Sequence, residues 1–489
     1  MTGKKTQIPE IRTEMEYRVE HDLLGDKNVP ADAYYGIQTL RAIENFNISG
    51  VKANMFPLYI KALAAVKMAA AKANYNLGLL PKNIKEGIVA ACEEIMDGQH
   101  NDEFPIDLIQ GGAGTSTNMN INEVVANRAL EIMGHQKGEY EYCHPNNHVN
   151  MAQSTNDAFP TSINIALSWM NEELVKELKC MVASFRQKGE EFKHIIKMGR
   201  TQLQDAVPMT LGQEFEAFAA TLEEEIDRLN TNANLFHEIN MGATAIGTGI
   251  NADPEYPAKV TKHLRDITGL ALVKASNFIE ATPDTGAFVI YSGTIKRLGV
   301  KLSKICNDLR LLSSGPRTGL NEINLPPMQP GSSIMPGKVN PVIPEVVNQI
   351  CFIVFGNDLT ITFAAEAGQL QLNVMEPVIV RSLFENIQML RRGMKSLRVN
   401  CVDDITANED HCRDMVLNSI GIVTALNPIL GYEISSALAK EALATNGSIY
   451  QMVLDKELIP KDELDRILSP ENMVTPHKLD RIGKENNDK

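Results

Sequence analysis

Residues 331–341 read Gly-Ser-Ser-Ile-Met-Pro-Gly-Lys-Val-Asn-Pro and bring three kinds of chemistry into one stretch. Gly331, Pro336 and Gly337 predict a loop that bends sharply and lets its backbone approach a ligand. Ser332 and Ser333 offer hydroxyls beside unhindered backbone N–H groups. Lys338 and Asn340 add a cation and an amide just before Pro341. Such a loop can hold a carboxylate and set a small proton-transfer group over it. A phosphate-binding loop is the first rival, but that pattern needs four residues between its glycines and then Lys followed by Ser or Thr. Here five residues separate Gly331 from Gly337, and Val339 follows Lys338. The bland alternative is a connector between helices.

Three further polar stretches have the same character. Residues 110–118, Gln-Gly-Gly-Ala-Gly-Thr-Ser-Thr-Asn, place three glycines within four residues, which is unfavourable inside a helix. They suit a backbone that presents N–H groups to an anion, or else a tight turn into a helix over 119–133 with N-caps among Thr115–Asn118. In 148–157, Ser154, Thr155 and Asn156 are all good N-cap residues, and three in a row exceed what one cap needs. Residues 199–208 make a polar turn, with Pro208 where a new helix would begin. A fifth stretch, 242–249, is rich in small residues and reads as close backbone packing, with substrate contact as the alternative.

The elements that must position these loops are mostly helical. Amphipathic helices are expected over 56–77 and 82–98. Long helical patterns follow over roughly 161–195, 210–240, 284–314, 342–372 and 376–397, at about 1.5 Å per residue spans of some 30–50 Å. Strand-type alternation is scarce between them. The 342–372 stretch is apolar around most of its circumference, which predicts burial on every side and, in a long bundle, burial beyond its own subunit. Shorter helices are expected near 408–424, 433–445, 447–456 and 460–468. Residues 22–26 and 30–36 read as turns with buried aromatics, and the polar ends of the chain read as loose.

Composition narrows the function classes. The chain has 489 residues, 44% apolar and 22% charged, as in ordinary globular proteins of two or three domains. The net charge of −14 argues against a general binder of nucleic acid or anionic membrane, yet leaves room for one local anion site. The seven cysteines are scattered, with no C-x-x-C, so reduced thiols in a cytoplasmic protein are expected and a disulfide framework or zinc site is not. No secretory signal pattern opens the chain, and each long apolar run is broken by polar residues, so no membrane span is expected.

The runs GGAGTSTNMNINEV, HVNMAQSTNDAFPT, KMGRTQLQDAVPMTLGQEF, GATAIGTG and GSSIMPGKVNPVIPEVVNQ together resemble the aspartase/fumarase superfamily across nearly the whole chain. The resemblance implies a mainly all-α, three-domain fold with a central long-helix bundle, and a homotetramer whose composite active sites draw on three subunits. The corresponding division is 1–158, 159–397 with the 331–341 loop, and 398–489. It implies a carbon–nitrogen lyase acting on a small dicarboxylate, with no organic cofactor required and no metal-ligand cluster; an activating divalent cation would occupy a site the sequence does not locate. Ser332 would be the catalytic base. Ser333, Thr115, Ser154 and Thr155 would hold the β-carboxylate of the substrate, and Lys338, Asn340 and Thr201 its α-carboxylate. Asn156 and Gln202 would lie near the amino group. Gln202 stands where fumarases carry a histidine paired with the glutamate matching Glu345, so the resemblance favours the aspartase branch, with reversible deamination through an enediolate-like intermediate. Fumarate hydration, another lyase activity of the superfamily, and a non-catalytic structural protein of the same fold stay open as alternatives.

Overall fold

The computed structural model describes residues 16–474. The long helices run Thr155–Glu191, Leu211–Ala233, Gly286–Leu312, Val342–Glu366 and Glu376–Asn400. Each overlaps its expected stretch, but the first starts at Thr155 instead of 161 and the second ends at Ala233 instead of 240. The fourth stops at Glu366 instead of continuing to 372. Asn373 folds back and donates through Nδ2 to the carbonyls of Ala364 and Ala365 at 3.0 and 3.2 Å, closing the last turn. Gly368 lies against that side chain, and Leu370 has a φ of 54°, so the chain has already left the helix.

Four two-stranded pairs accompany the helices among the described residues. Tyr17–Asp22 and Gly25–Pro30 form an antiparallel hairpin where turns alone were expected, and Tyr34 and Tyr35 beyond it are half-buried. The stretch over 199–208 is also a hairpin: Ile196–Thr201 pairs with Gln204–Thr210, and Pro208 sits inside the second strand. The helix begins after it, at Leu211. Of the start expected to be loose over 1–20, residues 1–15 lie outside the described residues, as does the final KENNDK, while Tyr17–Glu20 are held in the first hairpin.

Contacts divide the chain into two compact units. The first takes the chain up to Glu173, Leu229–Lys296 and Val354–Gln388. At its centre lies the helix Pro57–Asn76, whose buried face includes Ala62, Ala64, Ala65, Ala69, Ala70, Ala71 and Ala73. Such small side chains let the neighbouring helices Lys82–Met96 and Tyr256–Thr268 approach closely. The second unit takes Leu174–Arg228, Arg297–Ile353 and the chain from Met389 onward. Within it, Ile196 and Met198 of the second hairpin join a core with Ile422, Leu426, Leu438, Ile449, Val453 and Leu464. The small helices near the C-terminal end therefore seat that hairpin. Helix Val423–Thr445 merges the ends of two expected helices across a break at Gly431.

Helix Val342–Glu366 departs from expectation in burial. Val347, Cys351, Val354 and Ile361 are buried, but Leu359 and Phe363 are 58% and 65% exposed. This helix and Ile420–Thr445 are long and apolar enough to cross a membrane by length and composition alone. In the first of them, Asn348 bonds to Ser303 and Asn307, and Asp358 pairs with Lys296, so polar side chains tie it to helix Gly286–Leu312.

Candidate active site

In the first unit, the 111–118 and 150–157 stretches are packed together. Gly114 has a φ of 89° and would drive any Cβ into the Phe159 ring at 2.5 Å, so only glycine lets the two stretches meet. It caps helix Thr115–Ile132 with no side-chain bond, and no acidic residue occupies that helix's first turn. The helix's Thr115 N–H donates to Gly112 O at 3.0 Å and its Thr117 N–H to Gln110 Oε1 at 3.2 Å, so the positive end of the helix, unopposed by any acidic residue, is what can attract an anion there. Thr115 itself is exposed and donates its hydroxyl to Gly112 O at 2.7 Å, so it must turn to reach a ligand.

Ser154 heads helix Thr155–Glu191 in a capping box. Its Oγ accepts from Asn156 N at 3.2 Å, and its own N–H donates to Asp157 Oδ1 at 2.9 Å. The cap reading therefore holds for Ser154, whose hydroxyl proton alone is left for a ligand, while Thr155 and Asn156 are not needed for the cap. Asp157 is buried and binds the small-residue loop as well: Gly242 N and Thr244 N donate to its Oδ2 at 3.1 and 2.9 Å. Burial pushes its carboxyl up to about 6, against the pull of these N–H donors and of Lys67. Asn156 donates through Nδ2 to Ala245 O at 2.7 Å, which turns its Oδ1 outward as an acceptor suited to an ammonium group. A Cβ at Gly247 would stand 2.4 Å from Ile279 N, so the 242–249 stretch is indeed closely packed backbone.

In the second unit, the 331–341 stretch closes on itself. Gly331 N donates to Lys338 O at 2.8 Å, and Asn340 Nδ2 donates to Gly331 O at 2.7 Å. A Cβ at Gly331 would lie 2.4 Å from Lys338 O, which makes glycine obligatory there. Asn340 thus serves as the clasp of the loop, a role its sequence position did not reveal. Ser332 Oγ accepts from two backbone amides, Ile334 N at 3.2 Å and Met335 N at 3.0 Å. Ser333 and Lys338 are exposed, while Ser332 and Asn340 are half-buried.

Thr201 and Gln202 stand at the exposed tip of the second hairpin. Thr201 pairs directly with Gln204, leaving Gln202 and Leu203 as a two-residue turn with φ of 55° and 62°. Such a turn favours Asn-Gly, so Gln-Leu is strained. Behind the tip, the fully buried Glu322 faces two cations of the same hairpin. Its Oε2 is 2.7 Å from Lys197 Nζ and its Oε1 2.5 Å from Arg200 NH1. Glu345 lies in the first turn of helix Val342–Glu366.

The residues expected at the site thus form three groups: Thr115 with Ser154, Thr155 and Asn156 in the first unit, then the 331–341 loop and the 201–202 tip in the second. Sequence reasoning missed the groups behind them, Lys67, Asp157 and Glu322. Lys67 left no local signal, since its helix also carries Lys61 and Lys72 and only the fold shows which of the three is buried. All seven cysteines are free. No group of three or more His, Cys, Asp or Glu that could hold a metal ion occurs among the described residues.

Comparisons with known proteins fit this arrangement. Residues 25–356 match the family model described as lyase, and 422–475 match the fumarase C C-terminus. The chain is 58% identical to an aspartate ammonia-lyase of Helicobacter pylori over 460 residues, covering 94% of this chain and 98% of the relative. A crystal structure of fumarate lyase:delta crystallin from Brucella melitensis bound to cobalt superposes with a TM-score of 0.92 at 53% identity, covering 94% of this chain and all of the other. A class II fumarase from Schistosoma mansoni superposes with a TM-score of 0.87 at 35% identity, covering 94% of this chain and 100% of that one.

Proposed function

This chain belongs to the aspartase/fumarase family of lyases, and from that premise we propose that it converts L-aspartate reversibly to fumarate and ammonia. The observation that carries the reading is the 58% identity to an aspartate ammonia-lyase over 94% of the chain. The hard step is removal of a proton from C3, beside the β-carboxylate. It leaves a doubly charged, enediolate-like carboxylate, which then collapses to a C2–C3 double bond as the C2–N bond breaks. The protein must therefore supply a positioned base and donors for the charge that develops.

Ser332 is the base. A serine hydroxyl is far too weak an acid to act unless its alkoxide is stabilised. The N–H groups of Ile334 and Met335 already face its Oγ and support that state. Thr115, Ser154, Thr155 and Ser333 hold the β-carboxylate, aided by the positive end of helix Thr115–Ile132, whose first turn has no acidic residue. Lys338, Asn340 and Thr201 hold the α-carboxylate. Asn156 Oδ1 and Gln202 receive the amino group. These residues need no organic cofactor for the reaction, and a divalent cation would act as an activator from a separate site. The three-part division at 158 and 397 and a cytoplasmic location belong to the same reading.

The working form is a homotetramer with composite sites. The exposed Leu359 and Phe363 on helix Val342–Glu366 support it, since a partner subunit would cover them. Phe363→Asp is expected to give smaller, inactive species by sedimentation; an intact tetramer would remove that face from the interface.

The test of the activity is absorbance of fumarate formed from L-aspartate and from L-malate offered in parallel. Product from aspartate alone is expected. Product from malate alone would make the chain a hydratase, and product from neither would leave a fold without this chemistry.

A further inference from the structure

Lys67 is a cation with no access to water, deep in the first unit. It lies on helix Pro57–Asn76, among alanines, where an apolar side chain would be the simpler choice. Its Nζ donates to three side-chain amide oxygens: Asn118 Oδ1 at 2.7 Å, Gln153 Oε1 at 2.9 Å and Asn150 Oδ1 at 3.1 Å. An ammonium has three donors and no acceptor, so this set satisfies it completely. Burial draws its pKa down to about 7, while Asp157, through its charge, holds it up.

The direction of these bonds has a consequence for the loops in front. Asn and Gln amides can be turned either way, and only their partners decide which end faces where. A donor-only cation forces all three oxygens toward itself. Asn118 must then present Nδ2 on its other side, where it donates to Asn150 Oδ1 at 3.2 Å and to Thr155 Oγ1 at 3.3 Å. Asn150 Oδ1 also accepts from Asn122 Nδ2 at 3.2 Å, which fixes that amide from a third side. Thr155 Oγ1 is therefore an acceptor on its inner side, and its own O–H proton is left to point away from Asn118.

We propose that Lys67 is a positioning residue: its ammonium sets the Asn118 amide, and that amide turns the Thr155 hydroxyl proton toward the substrate carboxylate. This rests on the reading that Thr155 binds that carboxylate. Without Lys67, the Asn118 amide is released to turn over, give its N–H groups to the oxygens of Asn150 and Gln153, and face Thr155 with its carbonyl. Thr155 then donates to Asn118 and no longer to the substrate. The protein keeps its fold, because the amides satisfy one another, but loses a donor where charge develops.

The test is a double-mutant cycle on the tetramer, with kcat and KM for L-aspartate read separately for Lys67→Met, Thr155→Val and the pair. Lys67→Met is expected to lower kcat by roughly 10- to 100-fold with a smaller change in KM, as for a misdirected donor at a developing oxyanion. The double variant should be no slower than Thr155→Val alone, because both changes remove one interaction. Independent, multiplicative losses would overturn the relay, and so would wild-type kinetics for Lys67→Met beside an impaired Thr155→Val. Wild-type kinetics for Thr155→Val would instead overturn the carboxylate-binding reading itself. Should Lys67→Met fail to assemble, Asn118→Leu in the same cycle decides the question by the same outcomes, since it cuts the relay at its middle.

Discussion

The two units hold their candidate site residues in opposite ways. In the first, Thr155 and Asn156 stand on a helix start fixed by Asp157, the 242–249 stretch and the amides around Lys67. Asp157, Lys67 and Asn118 behind them each bond to residues of other elements. In the second, the 331–341 loop is held by bonds within itself, and the 201–202 tip is an exposed, strained turn seated on Glu322. We read the first set as preorganised to bind and the second, which includes the proposed base Ser332, as closing only over substrate. A proton-transfer group that is completed only over bound substrate is shielded from water when it acts.

That contrast makes opposite predictions for changes in the two units. Ser332→Ala is expected to lower kcat by about 10⁴-fold, with an unfolding midpoint unchanged, because the loop contributes little to the core. Wild-type turnover would remove Ser332 as base. Asp157→Ala should act the other way. It leaves the N–H groups of Ser154, Gly242 and Thr244 without their acceptor, and stability should fall by roughly 3 kcal/mol or more in urea unfolding. A stable variant with impaired kinetics would blur the contrast.

Glu376 gives a pH test of the first unit. It is fully buried, and desolvation raises its carboxyl from 4.5 to about 8. The folded state then holds a proton that the unfolded state has lost, so this group's contribution to stability is full below about pH 4.5 and declines as pH rises toward 8. Glu376→Gln should abolish that decline, leaving the variant more stable than the parent at alkaline pH and similar near pH 4.5. Parallel pH profiles of the two unfolding midpoints would contradict the assignment. The smallest effect belongs to the hairpin tip. Leu203→Gly should relieve its left-handed conformation and stabilise the protein by about 0.5–1 kcal/mol, with unchanged kinetics. A loss of stability would mean that Leu203 makes a contact that outweighs the strain.

Much of the fold was legible because period-3.6 patterns over 20–35 residues are hard to mistake, and the four polar loops lie at or near ends of those helices. Three things were hidden, each for a physical reason. The Gln202–Leu203 turn lacks the Asn-Gly that announces a hairpin, so 199–208 read as a polar turn leading into a helix, without paired strands. Helix Val342–Glu366 is apolar all round, and that pattern is the same whether the far side meets its own chain or another subunit. The supporting shell was the least visible. The roles of Lys67, Asp157 and Glu322 depend on which distant residues surround them, and nothing local distinguishes a buried cation from a solvated one. Asn340 was placed correctly in the loop, but its bond to Gly331 O appears only when the loop closes on itself.

Amide hydrogen exchange, followed by mass spectrometry with and without fumarate, tests the contrast most directly. The account predicts that peptides covering 111–118 and 150–157 are protected before ligand is added and change little. Peptides covering 331–341 should exchange quickly alone and slow markedly once fumarate binds. A 331–341 loop already protected without ligand, or unchanged by it, would contradict the division between a preorganised half and a closing half.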